Sequence, residues 1–354
     1  MPDRDDFSRL CIRSFEVMAL KRKWQKYPLL ALLALLIVDN QTARQGVTQG
    51  LEICFVTLVP ALFPFLILTG LLTAQLSSIA FPGSRAVEKI LRIPAHSAGF
   101  FLMGLLGGYP IGAGCICQAR KDGRLSAENC RRMLGFCSNA GPAFLFGMGL
   151  TLFPHIRFCF AIWAIQLLSA LITGMLTPGG TRETVLPGPE TSAKHGGVLR
   201  QSIAAMATVC GWVICFRVAI TYVDKWALGN LPPVLQAAIG GILELANGCC
   251  GLKNIADTGS RFVLFSGLMA FGGLCVAMQT ADLARDAHLD LGIYLPAKAC
   301  QAGIATVLAA LIYPGNVGIK PGWVLLAAIP IVCYPIFLGT KCKKITGIYQ
   351  PVGV

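Results

Sequence analysis

The apolar positions of this chain fall into ten runs, each bounded by charged residues or by proline. The runs reach or approach the ~20 apolar residues that an α-helix needs to cross a bilayer. They leave no window long enough for a soluble domain, so the pattern predicts an all-α polytopic membrane protein. The predicted segments are 27–45, 47–76, 97–117, 130–153, 158–176, 201–223, 235–252, 262–281, 296–313 and 322–339.

Helix breakers interrupt two of these runs. GGYPIGAG lies near the end of 97–117, and 235–252 carries IGG and then NGCCG. Breakers are tolerated at membrane depth where the backbone is buried in protein or lines a cavity, as in re-entrant hairpins and discontinuous helices. We therefore predict two re-entrant or broken segments and about eight crossing helices.

The basic residues agree with that topology under the positive-inside rule. Seven Lys and Arg lie before residue 27, which predicts a cytoplasmic N-terminus. With the two broken segments treated as re-entrant, 23 of the 30 Lys and Arg fall on the cytoplasmic side. Arg132 and Lys298 are counted there as loop charges, while Arg217 lies within a span.

The segments between 47 and 313 then form two sets of four that run in opposite directions. Each set has an apolar helix, a Gly-broken segment, a helix broken midway and a plain helix. The midway breaks are SNAGP at 138–142 and AFGGLC at 270–275. This order predicts an inverted repeat, which indicates a transport site near the bilayer midplane. The predicted structural hinges are Gly107, Gly108, Pro110, Gly112, Gly141, Pro142, Gly272 and Gly273.

The repeat divides the chain into six predicted parts. No small-x-small cleavage site follows the first apolar run, so we expect an uncleaved membrane anchor there. The parts are a basic cytoplasmic or interfacial N-terminus (1–26), the anchor (27–45), the first repeat (46–176), a linker (177–200), the second repeat (201–313) and a last transmembrane helix with a basic tail (314–354).

Composition narrows the classes of function. The chain is 55% hydrophobic and 13% charged, whereas a soluble domain carries about 25% charged residues. The net charge of +13 gathers at the ends of apolar runs without aromatic interleaving, so we predict no nucleic-acid partner. No nucleophile and base pair, carboxylate pair or phosphate loop is visible, so we predict no enzyme and no cofactor.

Four stretches carry a resemblance to a known family. GLEICFVTLVPALFPFLILTGLL, GGYPIGAGCICQARKDGRLSAENCRRMLGFCSNAGPAFLFG, GILELANG and AFGGLCVAMQ occur in this order from about residue 46 to 313. Together they resemble the YlbJ family of sporulation integral membrane proteins. Cys275 stands where the resemblance leads us to expect a small hydroxyl side chain such as Ser.

That family is grouped with proteins that carry the nucleoside recognition or Gate domain. The same domain occurs in concentrative nucleoside transporters, in the ferrous iron transporter FeoB and in the spore maturation proteins SpmA and SpmB. The resemblance implies a multi-pass protein of the bacterial plasma (inner) membrane, with a transporter-like core, from an endospore former.

Glu244 in ELANG is the first candidate binding residue. An acidic residue in an apolar segment costs roughly 2.5–3.5 kcal/mol at a helix centre, so it is expected to face a cavity, a partner or a cation. Asn247 shares its helical face. The pair is predicted to bind a coupling cation, Na⁺ or H⁺, or the donor groups of a small solute. The alternative is that Glu244 pairs with a Lys or Arg to hold the bundle together.

Three further polar residues are predicted to join that site. Ser138 and Asn139 lie just before Gly141 and Pro142, where a broken helix end can hold a polar ligand. A helix kink without a ligand is the alternative there. Gln279 follows the Gly272–Gly273 break and is predicted either to reach the same cavity or to form a polar contact between helices.

The cysteines raise a metal-permease alternative. Cys115 and Cys117, with Cys249 and Cys250 at the matching place in the second half, carry thiols that suit transition metals. The four histidines are scattered and no nucleotide-binding motif is present, so we predict no metal site.

Two hypotheses for function follow. The first is a transporter that moves a small polar solute by alternating access, with the bilayer and the solute as partners and a homo-oligomer as a candidate assembly. The second is a structural or assembly factor of the spore envelope that transports nothing.

Overall fold

The computed structural model describes residues 26–76, 83–94, 97–179, 197–313 and 321–346. These residues form helices joined by short loops, without a β-strand among them. The α-helices are α1 (Lys26–Val38), α2 (Asn40–Glu52), α3 (Val59–Leu76), α4 (Ser84–Leu91), α5 (Ala98–Gly107), α6 (Ile111–Lys121), α7 (Ala127–Cys137), α8 (Pro142–Leu152), α9 (Ile156–Leu176), α10 (Val198–Val223), α11 (Pro233–Leu243), α12 (Leu245–Gly251), α13 (Thr258–Phe271), α14 (Gly273–Asp286), α15 (Tyr294–Ile312) and α16 (Pro321–Thr346). Two π-helical segments, Ile53–Leu58 and Asp224–Leu228, continue α2 into α3 and extend α10, and a short 3₁₀ turn, Leu252–Asn254, follows α12.

Membrane-length helices dominate the described part of the chain. Six are long and apolar enough to cross a bilayer: Asn40–Leu71, Ala127–Leu152, Ile156–Leu176, Val198–Leu228, Thr258–Asp286 and Tyr294–Ile312. The all-helical fold class is therefore confirmed, and these six helices correspond to six of the eight predicted crossings. The other two crossings, 27–45 and 322–339, remain predictions.

The boundary between the first two predicted segments is corrected. The sequence pattern places it at residue 46, whereas α1 ends at Val38 and α2 begins at Asn40. Asp39 causes the break because its carboxylate accepts hydrogen bonds from the Thr42 amide at 3.4 Å and the Thr42 hydroxyl at 2.9 Å. An aspartate that caps an N-terminus in this way starts a new helix.

The helices with midway breaks form the centre of the fold. In the most apolar windows of Ala127–Leu152 and Thr258–Asp286, 72% and 78% of the residues are buried. The corresponding shares are 17% for Asn40–Leu71 and 22% for Val198–Leu228, whose apolar side chains face outward. Outward apolar surface of this extent is stable against lipid and not against water, so it marks the bilayer-facing side.

The same order of elements occurs twice. A long apolar helix, a pair of short helices, a helix with a midway break and a plain helix make up 40–176, with α4 inserted, and again 198–312. The two sets are interlocked, because α9 packs on α13 while its counterpart α15 packs on α7. The predicted linker between them lies largely at 180–196, outside the described residues.

Arg132 is not a loop charge as predicted from the sequence. It lies inside α7 with its side chain buried, and its guanidinium donates hydrogen bonds to backbone carbonyls at the ends of α4 and α9. The acceptors are the carbonyls of Leu91, Arg92 (2.9 Å), Gly174 (3.3 Å) and Thr177 (3.0 Å). A fixed cation at the carbonyl ends of helices satisfies acceptors that would otherwise be unpaired.

Candidate functional site

Besides the break at Asp39, four helix breaks in the described residues separate α5 from α6, α7 from α8, α11 from α12 and α13 from α14. All predicted hinge residues lie in these breaks or in the first turns beside them, with Gly107 at the end of α5 and Gly112 early in α6. Gly108 and Gly272 have φ values of +75° and +84°, which a residue with a side chain rarely adopts.

The breaks contact one another. A Cβ atom on Gly108 would overlap the backbone of Gly141, so the first break touches the second. A Cβ atom on Gly272 would lie 2.8 Å from the Tyr109 hydroxyl oxygen, so the fourth break touches the first. A Cβ atom on Gly273 would lie 3.2 Å from the Leu245 amide nitrogen, which joins the fourth break to the third. The four breaks therefore form one cluster.

A pocket lies against this cluster and encloses about 440 Å³, including space open to the outside. The first three breaks contribute to its wall, as does α14, which begins at the fourth break. The polar groups of the wall come from Tyr109, Glu244, Gln279 and the backbone near Gly141. Apolar side chains of α3, α8, α10 and α14 supply most of the remaining surface. The lining is Leu58, Leu62, Tyr109, Ala140, Gly141, Phe144, Val209, Val213, Glu244, Leu245, Ala246, Val276 and Gln279.

Glu244 forms the third break. It is extended (φ −147°, ψ 122°) and its side chain caps the N-terminus of α12. Oε1 accepts a hydrogen bond from the Ala246 amide at 3.0 Å, while Oε2 accepts from the amide and from Nδ2 of Asn247, at 2.7 and 2.6 Å. The side chain is buried and still lines the pocket. Since a carboxylate oxygen can accept two hydrogen bonds, Oε1 retains an acceptor position.

Asn247 connects Glu244 to a second, more polar pocket. Its Oδ1 accepts a hydrogen bond from Nη1 of Arg217 at 2.9 Å, and Nε of Arg217 donates to Oε1 of Gln49 at 2.9 Å. Arg217, Gln49 and Asn247 all line this second pocket, which encloses about 930 Å³ including open space. Glu244 is thus linked to a cation, as the structural alternative expected, but through Asn247 and not by direct pairing.

Ser138 and Asn139 are buried at the second break and do not line the pocket beside Glu244. The Ser138 carbonyl accepts a hydrogen bond from Nζ of Lys298 at 2.7 Å, and Oδ1 of Asn139 accepts from Nε2 of Gln301 at 2.8 Å. Gln166 of α9 donates to the neighbouring Ala140 carbonyl at 2.9 Å. The carbonyls of Ser138 and Ala140 and the side-chain oxygen of Asn139 are therefore engaged by α9 and α15.

Gln279 lies beside Glu244 in the pocket wall. Its Nε2 donates a hydrogen bond to Sγ of Cys275 at 3.4 Å, one helical turn earlier in α14. The thiol at the position where a hydroxyl was expected thus still serves as an acceptor.

The four cysteines named from the sequence lie on α6 and α12. Cys117 and Cys249 are buried, while Cys115 and Cys250 are partly exposed. Across the residues that the structure describes, no group of three or more His, Cys, Asp or Glu side chains is placed to hold a metal ion.

Sequence reasoning missed Lys298. It was assigned to a cytoplasmic loop, but it lies in α15 with its side chain fully buried. The sequence does carry a signal, because the lysine and Gln301 both lie inside the apolar stretch YLPAKACQAGIATVLAALI. A charged residue within an apolar run is also the feature that singled out Glu244. Position near the end of the run favoured the loop assignment.

The fold and the outward apolar surface define a multi-pass α-helical membrane protein. The chain is similar to the sporulation integral membrane protein YlbJ of Bacillus subtilis (strain 168), with 23% identity over 338 residues that cover 80% of this chain and 81% of that protein. The resemblance to YlbJ inferred from the sequence is thereby confirmed. No protein-family model matches the chain, and no solved structure matches it. The Gate-domain grouping remains a prediction.

Proposed function

We propose that this protein is a secondary transporter whose solute site lies at the cluster of helix breaks. One observation carries the proposal: the four breaks between α5 and α14 contact one another, and a pocket lies against this cluster. Breaks expose backbone polar groups at a cost, and membrane proteins retain them where they contact a solute or an ion. A scaffold that only packs helices has no need of them.

Alternating access would follow from an inverted repeat of 46–176 and 201–313. Two observations support this part of the proposal, namely the repeated order of elements and the reciprocal packing of α9 on α13 and α15 on α7. In each half the paired short helices also approach at glycine. A Cβ atom on Gly112 would lie 2.6 Å from the Cα of Gly104, and one on Gly248 would overlap Gly241.

The lining indicates the chemistry of the solute. Apolar side chains make up most of the wall, and Oε1 of Glu244 retains an acceptor position. A small solute with an apolar body and one or two hydrogen-bond donors, such as an ammonium or amide group, matches this wall. The N-terminus is proposed to be cytoplasmic because of its seven Lys and Arg.

The biological setting of the proposal comes from the relative. Since the similar Bacillus subtilis protein is named for sporulation, we place this transporter in the membrane of a spore-forming cell. The competing function is an envelope assembly factor with the same helices and no cargo. Fold similarity does not distinguish a transporter from an assembly factor, so a binding measurement is needed to distinguish them.

Ligand binding to the purified protein tests the proposal. A thermal-shift screen in detergent would compare nucleosides, nucleobases, amino acids, dicarboxylates and divalent metals. A solute at about 100 times its Kd stabilises the folded state by about 2.7 kcal/mol, so we expect one class to raise the Tm by several degrees. A flat response to every class would favour the assembly factor.

A further inference from the structure

Lys298 does not line the pocket of the proposed solute site. Its ammonium group is fully buried in α15 and lies at the second helix break. Nζ donates hydrogen bonds to the Ser138 carbonyl at 2.7 Å and to Oε1 of Gln301 at 2.6 Å. It also lies 5.4 Å from the centre of the Tyr109 ring, which belongs to the first break.

No carboxylate of the described residues forms a salt bridge with this ammonium group. Among the described residues, the salt bridges of the protein involve other cations, and none includes Lys298. Its partners are a carbonyl oxygen, an amide oxygen and the face of an aromatic ring. All three are neutral groups that direct negative potential at one point.

The partners are themselves held in place. Gln301 donates from Nε2 to Oδ1 of Asn139 at 2.8 Å, and Asn139 donates from Nδ2 to the Phe136 carbonyl at 2.8 Å. The Tyr109 hydroxyl lies 3.4 Å from the Met269 carbonyl and donates to it. Other groups therefore hold Gln301 and the Tyr109 ring in position against the ammonium group, as the ligands of a cation site are held.

We propose that Lys298 is a tethered cation, whose ammonium group occupies a cation-binding site formed by the Ser138 carbonyl, Oε1 of Gln301 and the face of Tyr109. Carbonyls freed by an unwound helix are the usual ligands for Na⁺ in membrane proteins. Here the chain supplies the positive charge, so the site takes no Na⁺ from solution. A further consequence, that transport is not coupled to Na⁺, rests on the proposed function. The cation site itself does not depend on that function.

The test is to remove the ammonium group and supply Na⁺ instead. Lys298→Ala leaves the oxygen ligands with space for a hydrated ion, whereas Lys298→Met fills the same space with an apolar side chain. Thermal stability of both variants and of the wild type is measured in NaCl and in N-methyl-D-glucamine chloride at equal ionic strength. With [Na⁺] about ten times the Kd, we expect the Tm of Lys298→Ala to be about 3 °C higher in NaCl.

The wild type and Lys298→Met should show no difference between the two salts. An equal Tm of Lys298→Ala in both salts would overturn the proposal, and so would an equal Na⁺ response in Lys298→Met. If Lys298→Ala does not survive purification in N-methyl-D-glucamine chloride, recovery as a monodisperse peak in NaCl supports the site, and recovery in neither salt contradicts it. The measurement needs no solute, so its outcome is separate from that of the solute screen.

Discussion

Gly112→Ala is expected to destabilise the protein by about 3 kcal/mol, at the upper end of the range for overpacking a close contact. The added methyl group would lie 2.6 Å from the Cα of Gly104 and 2.7 Å from the Cys137 carbonyl oxygen. Both atoms belong to the backbone, so neither can rotate away as a side chain would. The three helices α5, α6 and α7 meet at this point, and their separation would disturb the first two breaks together.

Gly114→Ala is the matched control for that substitution. Gly114 lies two residues further along α6, and a Cβ atom there has no neighbour within 4 Å. Alanine in a helix with free space is expected to stabilise by roughly 0.5–1 kcal/mol relative to glycine. Thermal unfolding of the two variants in detergent should therefore show shifts of opposite sign. Equal shifts would mean that the hairpin of α5 and α6 is not packed as described.

Glu244→Gln is expected to weaken solute binding more than about tenfold, a loss of about 1.4 kcal/mol. The carboxylate accepts three hydrogen bonds from the Ala246 amide and from the amide and side chain of Asn247. Glutamine keeps the size but offers a single acceptor oxygen, and its NH₂ group would face another donor. We expect a cost of ~1 kcal/mol in stability from the weakened helix cap, which leaves the protein folded.

Glu52→Gln provides the comparison for the loss of charge alone. Glu52 is exposed and lines the polar pocket beside Arg217 and not the pocket at the breaks. The Kd of the solute, measured by titration after size-exclusion chromatography, should change in Glu244→Gln and stay within about twofold in Glu52→Gln. A wild-type Kd for both variants would move the binding site away from Glu244.

The sequence pattern located the first, second and fourth breaks closely, because each coincides with a glycine or proline cluster. The break between α11 and α12 was placed less well. Its glycines at Gly241 and Gly248 lie within helices, where α11 and α12 approach too closely for a side chain. The break itself is made by Glu244, whose carboxylate replaces the missing backbone partners of α12. A pattern of breakers does not distinguish a glycine that ends a helix from one that lets two helices touch.

The polar partners were harder to predict than the breaks. Glu244, Asn247 and Gln279 could be named because each is polar within an apolar run. The link from Asn247 to Arg217, and from Ser138 to Lys298, joins residues 30 and 160 positions apart. A single sequence carries no signal for such pairings. Lys298 also lies near the end of its run, where a lysine is normally solvated.

Solute flux through reconstituted protein tests the central claim most directly. Three preparations are compared: proteoliposomes with the wild type, proteoliposomes with Glu244→Gln, and liposomes without protein. Each is incubated with the labelled solute classes of the thermal-shift screen. We expect time-dependent uptake of one class by the wild type, at a rate that Glu244→Gln lowers more than about tenfold. Uptake by the wild type no faster than by protein-free liposomes, for a solute that binds, would contradict transport and leave the assembly role.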